Sequence, residues 1–245
     1  MIADQLRRRV RSGGAAPLLT YYDLGTGERT ELSATGFLNW VDKTSNLLVD
    51  EYLLEPGAVI DLELARSAPG HWVSLVVTMA GWQVGATIRV GVTEGPPADL
   101  LVLGPHWRDA DLQHADAVLA CSLHPLGMGF AEPLPSPLAD FSVEVRGQPD
   151  QHSATPRAGA EPAWVDAHRR LTQSDLVSLD AVAAGSGASG AGLPAARRLV
   201  MVSEPWSSTR DGLVVPLMSG GSAVLVRGDD PERLTRIGHD ERVER

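Results

Sequence analysis

Short apolar segments alternate with longer amphipathic segments along most of this chain, and this alternation limits the fold more than any other feature. The apolar segments have the length of strands, and the segments between them repeat apolar residues three and four positions apart, as helices do. Strands that alternate with helices favour a parallel sheet joined by right-handed crossovers. The sequence therefore predicts an α/β fold with mostly parallel sheets.

The first part of the chain contains most of the predicted elements. Leu18 to Asp23 and Arg29 to Leu32 flank a Gly-Thr-Gly turn and predict a hairpin, and Ser33 can cap the helix that follows. Four more strands are predicted at 58–64, 86–92, 99–104 and 117–123. A helix with one apolar face is predicted at 72–83, and a short polar helix at 108–114.

Apolar periodicity fades between Arg146 and Arg170, which predicts a surface connection. Order resumes at Thr172, where Thr-Gln-Ser-Asp has the form of a capping box for a helix to about Ala184. The remaining predicted elements are strands at 198–203 and 222–227, a short helix at 213–218, and a last helix capped by Asp230. We therefore predict a first lobe at 1–145, a connection at 146–170 and a second lobe at 171–245.

The charge balance restricts the partners of the protein. A net charge of −10 argues against general binding to nucleic acid or to an anionic membrane surface. Four arginines at 7, 8, 9 and 11 are the local exception, read either as a solvated helix face or as a contact site for an acidic partner. No apolar run suggests a signal peptide or a membrane span, and the single cysteine, Cys121, fits a reducing cytoplasm. The sequence leaves the oligomeric state open.

Three stretches of the chain carry a family likeness. They are 19–64 (a strand pair, an amphipathic helix and a Pro-Gly turn into a strand), 71–91 (a helix and an Ala-Gly to Gly-Ala turn) and 171–234 (ending in Gly-Gly-Ser-Ala-Val-Leu-Val). Together they resemble the N-terminal part of adenylate-forming enzymes, the AMP-dependent synthetases and acyl-CoA synthetases. The resemblance implies stacked α/β subdomains, and short uncharacterised proteins similar to this part alone are known. It does not by itself imply activity.

The chain departs from this family at the positions that carry the family's catalytic chemistry. Synthetases place a Ser/Thr/Gly-rich phosphate loop ending in Pro-Lys-Gly before the segment that Leu171 begins. Residues 161–170 stand there with no glycine and no lysine, and the carboxylates of Glu161 and Asp166 would disfavour a phosphate. Lys43, the only lysine, lies in an early helix and cannot replace a catalytic lysine. Counterparts of the family's later adenine, ribose and magnesium elements are not found.

These departures predict a non-catalytic domain that binds a small acyl or nucleotide-like ligand or a protein partner. The alternative is an acid–thiol ligase component completed in trans by a second polypeptide. No catalytic residue or metal site is assigned and no cofactor is expected, although the family would suggest ATP, AMP or coenzyme A. Trp206, Asp211 and Gly212 occupy the place of the family's Pro-aromatic turn at the acyl pocket, so they are either packing residues or a remnant of that pocket.

Three further constellations have a plain structural interpretation beside a functional one. Cys121 and His124 are read as a buried thiol and a loop histidine, or as a nucleophile and base near a crevice. Asp61 and Glu63 stand two apart on a predicted strand, so their side chains would share one face. Their structural interpretation is a solvated or internally paired face, and their functional one is acid–base or metal chemistry. The GxGxxG at 185–190 follows a helix instead of a strand, which favours a flexible connection over a dinucleotide site.

Overall fold

The structure is a computed structural model, and it describes residues 1–92, 95–153, 158–178 and 195–244. These residues form two β-sheets with helices packed against them. The pairing is mostly parallel, with one antiparallel pair of strands in each sheet. The predicted α/β fold class is confirmed.

The helices are α1 (Ile2–Gly13), α2 (Ala34–Asp50), α3 (Leu64–Ser67), α4 (Trp72–Val84), α5 (Phe141–Glu144), α6 (Pro205–Thr209), α7 (Val215–Ser219) and α8 (Pro231–Asp240). A π-helical segment, Arg210–Val214, joins α6 to α7. The strands are β1 (Pro17–Asp23), β2 (Glu28–Ser33), β3 (Val59–Leu62), β4 (Thr87–Arg89), β5 (Ala98–Leu103), β6 (Ala115–Ala120), β7 (Leu138–Asp140), β8 (Pro162–Val165), β9 (Arg170–Thr172), β10 (Arg197–Met201) and β11 (Ser222–Arg227). No helix in the described ranges is long and apolar enough to cross a membrane.

The smaller sheet joins the two ends of the chain. Its strand order is β10-β11-β1-β2, and β1 pairs in parallel with β11, so that Leu19 lies opposite Ala223. The predicted lobes at 1–145 and 171–245 therefore do not coincide with the sheets, since each lobe contributes two strands to this one. Parallel pairing between strands about 200 residues apart leaves no local signal in either strand.

The chain reverses its direction across the larger sheet after β4. The strand order is β7-β6-β5-β3-β4-β8-β9, so β4 lies on one side of β3 and β5 on the other. A right-handed crossover that changes direction must also change face. The crossover from β3 to β4 accordingly carries α4 on the face toward the smaller sheet, and the described residues of the β4–β5 and β5–β6 connections lie over the opposite face.

The main core lies between the two sheets. It contains Tyr21 and Leu225 from the smaller sheet, Ile60 and Leu100 from the larger one, and the apolar side chains of α4. All residues of α4 are buried, so the predicted single apolar face was too narrow. A helix between two sheets is apolar all round, because every side of it meets protein.

Several local predictions are confirmed. Ser33 caps α2 by accepting the backbone N–H of Gly36 at 3.0 Å. Asp230 caps α8 by accepting the N–H of Arg233 at 3.1 Å, and strand β11 has the predicted bounds. These features depend on neighbouring residues alone, which makes them readable from the sequence.

The arginines of α1 are not a uniformly solvated face. Arg7 donates to the carbonyl of His152 at 2.8 Å and lies 3.5 Å from the carboxylate of Asp42. Arg9 donates to the carbonyl of Gly13 at 2.7 Å and to that of Pro17 at 3.3 Å. At least these two guanidinium groups therefore hold α1 to the rest of the fold.

Lys43 has a structural place on α2. Its ammonium group donates to the carbonyl of Gln148 and lies 2.8 Å from the carboxylate of Asp150. Asn46, one turn later, donates to the carbonyls of Pro149 and Gln151 at 3.0 Å each. The two side chains fasten an irregular segment to the helix.

The predicted connection at 146–170 is wrong in its second half. Strand β8 lies within it, and Ala163 and Trp164 are fully buried there. The capping-box contacts at Thr172 form, with the N–H and hydroxyl of Thr172 each donating to Asp175 at 2.8 Å, but they close a 3₁₀ turn at Asp175–Val177. The end of the predicted helix, 179–184, and the GxGxxG at 185–190 lie outside the described residues.

The predicted polar helix at 108–114 is a 3₁₀ turn, Trp107–Asp109.

Candidate functional site

The segment that stands in place of a phosphate loop is a tight hairpin. Strands β8 and β9 pair antiparallel, with Val165 opposite Arg170. The carboxylate of Asp166 closes the turn, since its Oδ1 accepts the backbone N–H of His168 at 2.8 Å and that of Arg169 at 3.0 Å. Its Oδ2 accepts the indole N–H of Trp164 at 2.8 Å.

An anion-binding turn needs free backbone N–H groups, and here a carboxylate of the chain already occupies them. The guanidinium of Arg169 lies 3.5 Å from Asp166 and 3.5 Å from Glu204, so this cation is also engaged. Hydrogen bonding from Ser207, together with Arg169, holds the pKa of Glu204 below its usual value. The N–H groups of the turn and the guanidinium of Arg169 are therefore already engaged within the chain.

Glu161 and Asp166 do not act as a carboxylate pair. Glu161 precedes β8 and accepts the N–H of Ala158 at 3.2 Å, whereas Asp166 follows the strand. A strand of this length separates its flanking residues by more than about 10 Å. The local effect on a phosphate would come from Asp166.

Trp206 packs against the hairpin. Its ring centroid lies 5.2 Å from that of Trp164, so it joins α6 to β8. The carboxylate of Asp211 pairs with Arg210 at 2.8 Å. A Cβ on Gly212 would stand 2.7 Å from Leu225, so this glycine allows the π-helical segment to approach β11. Each of the three predicted pocket residues has a packing or pairing contact, and their role in ligand binding stays a prediction.

Cys121 and His124 lie in different environments. Cys121 is buried directly after β6, and burial raises the pKa of its thiol. His124 lies in the following loop, where its Nδ1 accepts the N–H of Leu126 at 3.2 Å. No hydrogen bond joins the two side chains in the described part of the chain. A protonated buried thiol without a base has the character of a structural residue.

A cleft of about 500 Å³ lies on the face of the larger sheet opposite α4, and we call it the outer cleft. Its lining includes Asp61, Glu63, Arg66, Arg89, Leu101, Leu103, His106, Trp107, Asp109, Ala110, Asp111 and His114. The connections at 90–97 and 104–114 border it, and their described residues contain no α-helix. A parallel crossover with a helix needs a dozen or more residues, so these short connections leave this face partly uncovered.

Asp61 and Glu63 both line the outer cleft, each with its own arginine. Arg89 forms a two-point ion pair with Asp61, in which Nη2 lies 2.7 Å from Oδ2. Arg66 pairs with Glu63 at 3.0 Å. Glu63 lies just after β3, so the two carboxylates do not share a strand face. Asp61 and Glu63 are therefore ion-paired, as the structural interpretation of these two carboxylates expected.

The outer cleft as a whole was not predicted from the sequence. Its position follows from the strand order, because β3 and β5 carry their crossovers on opposite faces and a crevice forms where this happens. Strand lengths alone do not reveal the order. The short connections after β4 and β5 were the available signal.

The comparisons with known proteins agree on the fold. A Brucella canis acyl-CoA synthetase matches with a TM-score of 0.77 at 18% identity, over 99% of this chain and 46% of that one. The N-terminal domain of FACL13 from Mycobacterium tuberculosis matches with a TM-score of 0.66 at 14% identity, over 99% of this chain and 61% of that one. The chain thus spans about half the length of the synthetase. No family model matches the sequence.

One relative is similar over nearly its whole length. A TIGR03089 family protein of Mycobacterium tuberculosis is 34% identical over 96% of this chain and 93% of its own. The structural matches give the fold of the N-terminal domain of acyl-CoA synthetases and related adenylate-forming enzymes. The chain belongs to the TIGR03089 family.

Proposed function

We propose that this chain is a non-catalytic domain of the adenylate-forming fold that binds a small acyl or nucleotide-like ligand or a protein partner. One observation carries the proposal: the carboxylate of Asp166 occupies the N–H groups of the β8–β9 turn. An incoming phosphate would have to displace this carboxylate and would meet its negative charge. Self-contained adenylation needs that phosphate to be held.

The absence of adenylation can be tested directly. The purified chain is incubated with ATP–Mg²⁺, radiolabelled pyrophosphate and a panel of carboxylic acids, beside an active acyl-CoA synthetase as positive control. We expect no acid-dependent exchange of pyrophosphate into ATP. Exchange by the chain alone, at a rate that scales with its concentration, would overturn the proposal.

The second candidate is a ligase component completed in trans, with ATP or coenzyme A as cofactor. It is favoured by the coverage of 46% of the Brucella canis synthetase, which leaves half of that fold without a counterpart in this chain. The missing phosphate contacts and the catalytic lysine would come from another polypeptide. Under this candidate, binding of nucleotide would precede any catalysis.

Thermal unfolding with and without ATP–Mg²⁺, AMP and coenzyme A separates the two candidates. A ligand at 100 times its Kd that binds only the native state adds about 2.7 kcal/mol to the free energy of unfolding. Stabilisation by ATP–Mg²⁺ that AMP does not give would favour the component completed in trans, because only a ligase uses the β- and γ-phosphates. A shift with AMP, a carboxylic acid or a captured protein, and none with ATP–Mg²⁺, would support the non-catalytic domain.

A further inference from the structure

We propose that the outer cleft binds a small organic cation, namely an amine attached to an apolar group. This inference goes beyond the proposed function, which assigns no ligand to the cleft. The cleft lies where the crossovers of the larger sheet change face, and ligands of open α/β sheets bind at such positions. Its volume of about 500 Å³ is that of a site for a small molecule.

The floor of the cleft is apolar. Leu101 and Leu103 project from β5 on the face away from α4, and they pack with Trp107 and Ala110 of the next connection. The cleft removes an apolar group of a ligand from water at this floor, which favours binding. The floor therefore accounts for the apolar half of the ligand.

The arginines of the cleft are already neutralised. Arg89 is largely buried, and its Nε and Nη2 bond to Asp61 while its Nη1 donates to the carbonyl of Pro96 at 2.8 Å. Arg66 is held by Glu63 at 3.0 Å. An anionic ligand would have to break one of these pairs to gain either Arg66 or Arg89 as a partner.

The other two carboxylates are not neutralised in this way. Asp109 and Asp111 lie on the connection at 104–114, and in the described residues neither is within ion-pair distance of a lysine or arginine. Asp111 has only His114 at 3.0 Å, which is charged only when protonated. In the described lining, four carboxylates face two guanidinium groups, and the guanidinium of Arg108 is stacked over Trp107 at 4.4 Å, so one negative charge is in surplus and favours a cation.

The test uses three probes with the same phenyl group and different charges: phenethylamine, phenethyl alcohol and 3-phenylpropionate. Binding is measured by isothermal calorimetry and by ¹H–¹⁵N NMR, with the indole signal of Trp107 assigned through Trp107→Phe. We expect the amine to bind about ten-fold more tightly than the alcohol and to shift the Trp107 signal. The carboxylate should bind least, and added NaCl should weaken only the amine.

The double variant D109N/D111N should remove the preference for the amine and leave the binding of the alcohol unchanged. D116N/D229N is the matched control, since both residues are exposed carboxylates outside the cleft and their removal changes the charge of the chain equally. Thermal melting verifies that each variant is folded. Equal binding of amine and alcohol, tighter binding of the carboxylate, no binding of any probe, or an amine preference that survives D109N/D111N would each overturn the inference. None of these outcomes bears on adenylation, so the two proposals fail separately.

Discussion

Replacing Glu241 with glutamine tests how the end of the chain is held on the smaller sheet. The side chain of Glu241 is 8% exposed, and it accepts the hydroxyl of Tyr22 at 2.5 Å and the guanidinium of Arg29 at 2.8 Å. Arg197 of β10 pairs with its other oxygen. Burial raises the pKa of this carboxyl, but the hydrogen bonds from Tyr22, Arg29 and Arg197 outweigh burial and leave the pKa below 4.5.

The expected loss follows from the exposure of the partners. Removing one member of a buried ion pair costs about 3–5 kcal/mol when the remaining charge stays buried. Arg29 is 45% exposed and can be rehydrated, whereas Arg197 is only 18% exposed. We therefore expect E241Q to lower the free energy of unfolding by about 2–3 kcal/mol, or the Tm by roughly 5–10 °C in a chain of this size.

The assay is urea and thermal unfolding at pH 7, followed by circular dichroism. E232Q is the control, because Glu232 is an exposed carboxylate in α8 and its removal changes the charge of the chain equally. We expect E232Q to stay within about 0.5 kcal/mol of the wild type.

The pH dependence of the difference in stability between wild type and E241Q provides the result that would contradict this prediction. Because the pKa of Glu241 is lower in the folded state than in the unfolded state, its contribution is complete above about pH 4.5 and is lost as the pH falls through the folded-state pKa. Wild type and E241Q should therefore converge in stability below pH 4.5. A difference that is the same at pH 7 and at pH 3.5, or an E241Q variant as stable as E232Q, would refute the reasoning.

Three further predictions concern single side chains. Gly70 has φ +67° and a Cβ there would stand 2.8 Å from a leucine methyl of β11, so G70A should cost about 1–3 kcal/mol in chemical unfolding, whereas G147A, in open space, should be neutral. K43M should speed trypsin cleavage after Arg146 several-fold by releasing the segment that Lys43 fastens, and K43R should retain part of the protection. Burial raises the pKa of the Cys121 thiol, so Ellman's reagent should label it only as fast as the chain unfolds; faster labelling would contradict its burial.

The parts of the fold that could be predicted are those that neighbouring residues determine. The caps at Ser33 and Asp230 and the bounds of β11 depend on contacts within a few residues. The family likeness rested on the same local elements in their order along the chain, and the comparisons confirm it. Local chemistry was thus a sound guide to the elements and to the fold class.

Long-range pairing explains most of what could not be predicted. The parallel contact of β1 with β11 places the two ends of the chain in one sheet, and nothing in either strand indicates its partner. Strand β8 was missed because it is short and its flanking residues are polar, although Trp164 marked it as a buried element. The pairing of Asp61 with Arg89 likewise depends on β3 lying beside β4.

The outer cleft can be derived from the strand order together with the lengths of two connections. The connections at 90–97 and 104–114 are each too short to carry a helix from one end of the sheet to the other. The chain reverses its direction across the sheet after β4. Because crossovers stay right-handed, the described residues of both connections lie over the face opposite α4. Two short connections on one face leave a groove between them, and the residues on their inner sides determine its charge. The position of the cleft, and the place of Asp109 and Asp111 at its rim, are therefore consequences of connection length and strand order.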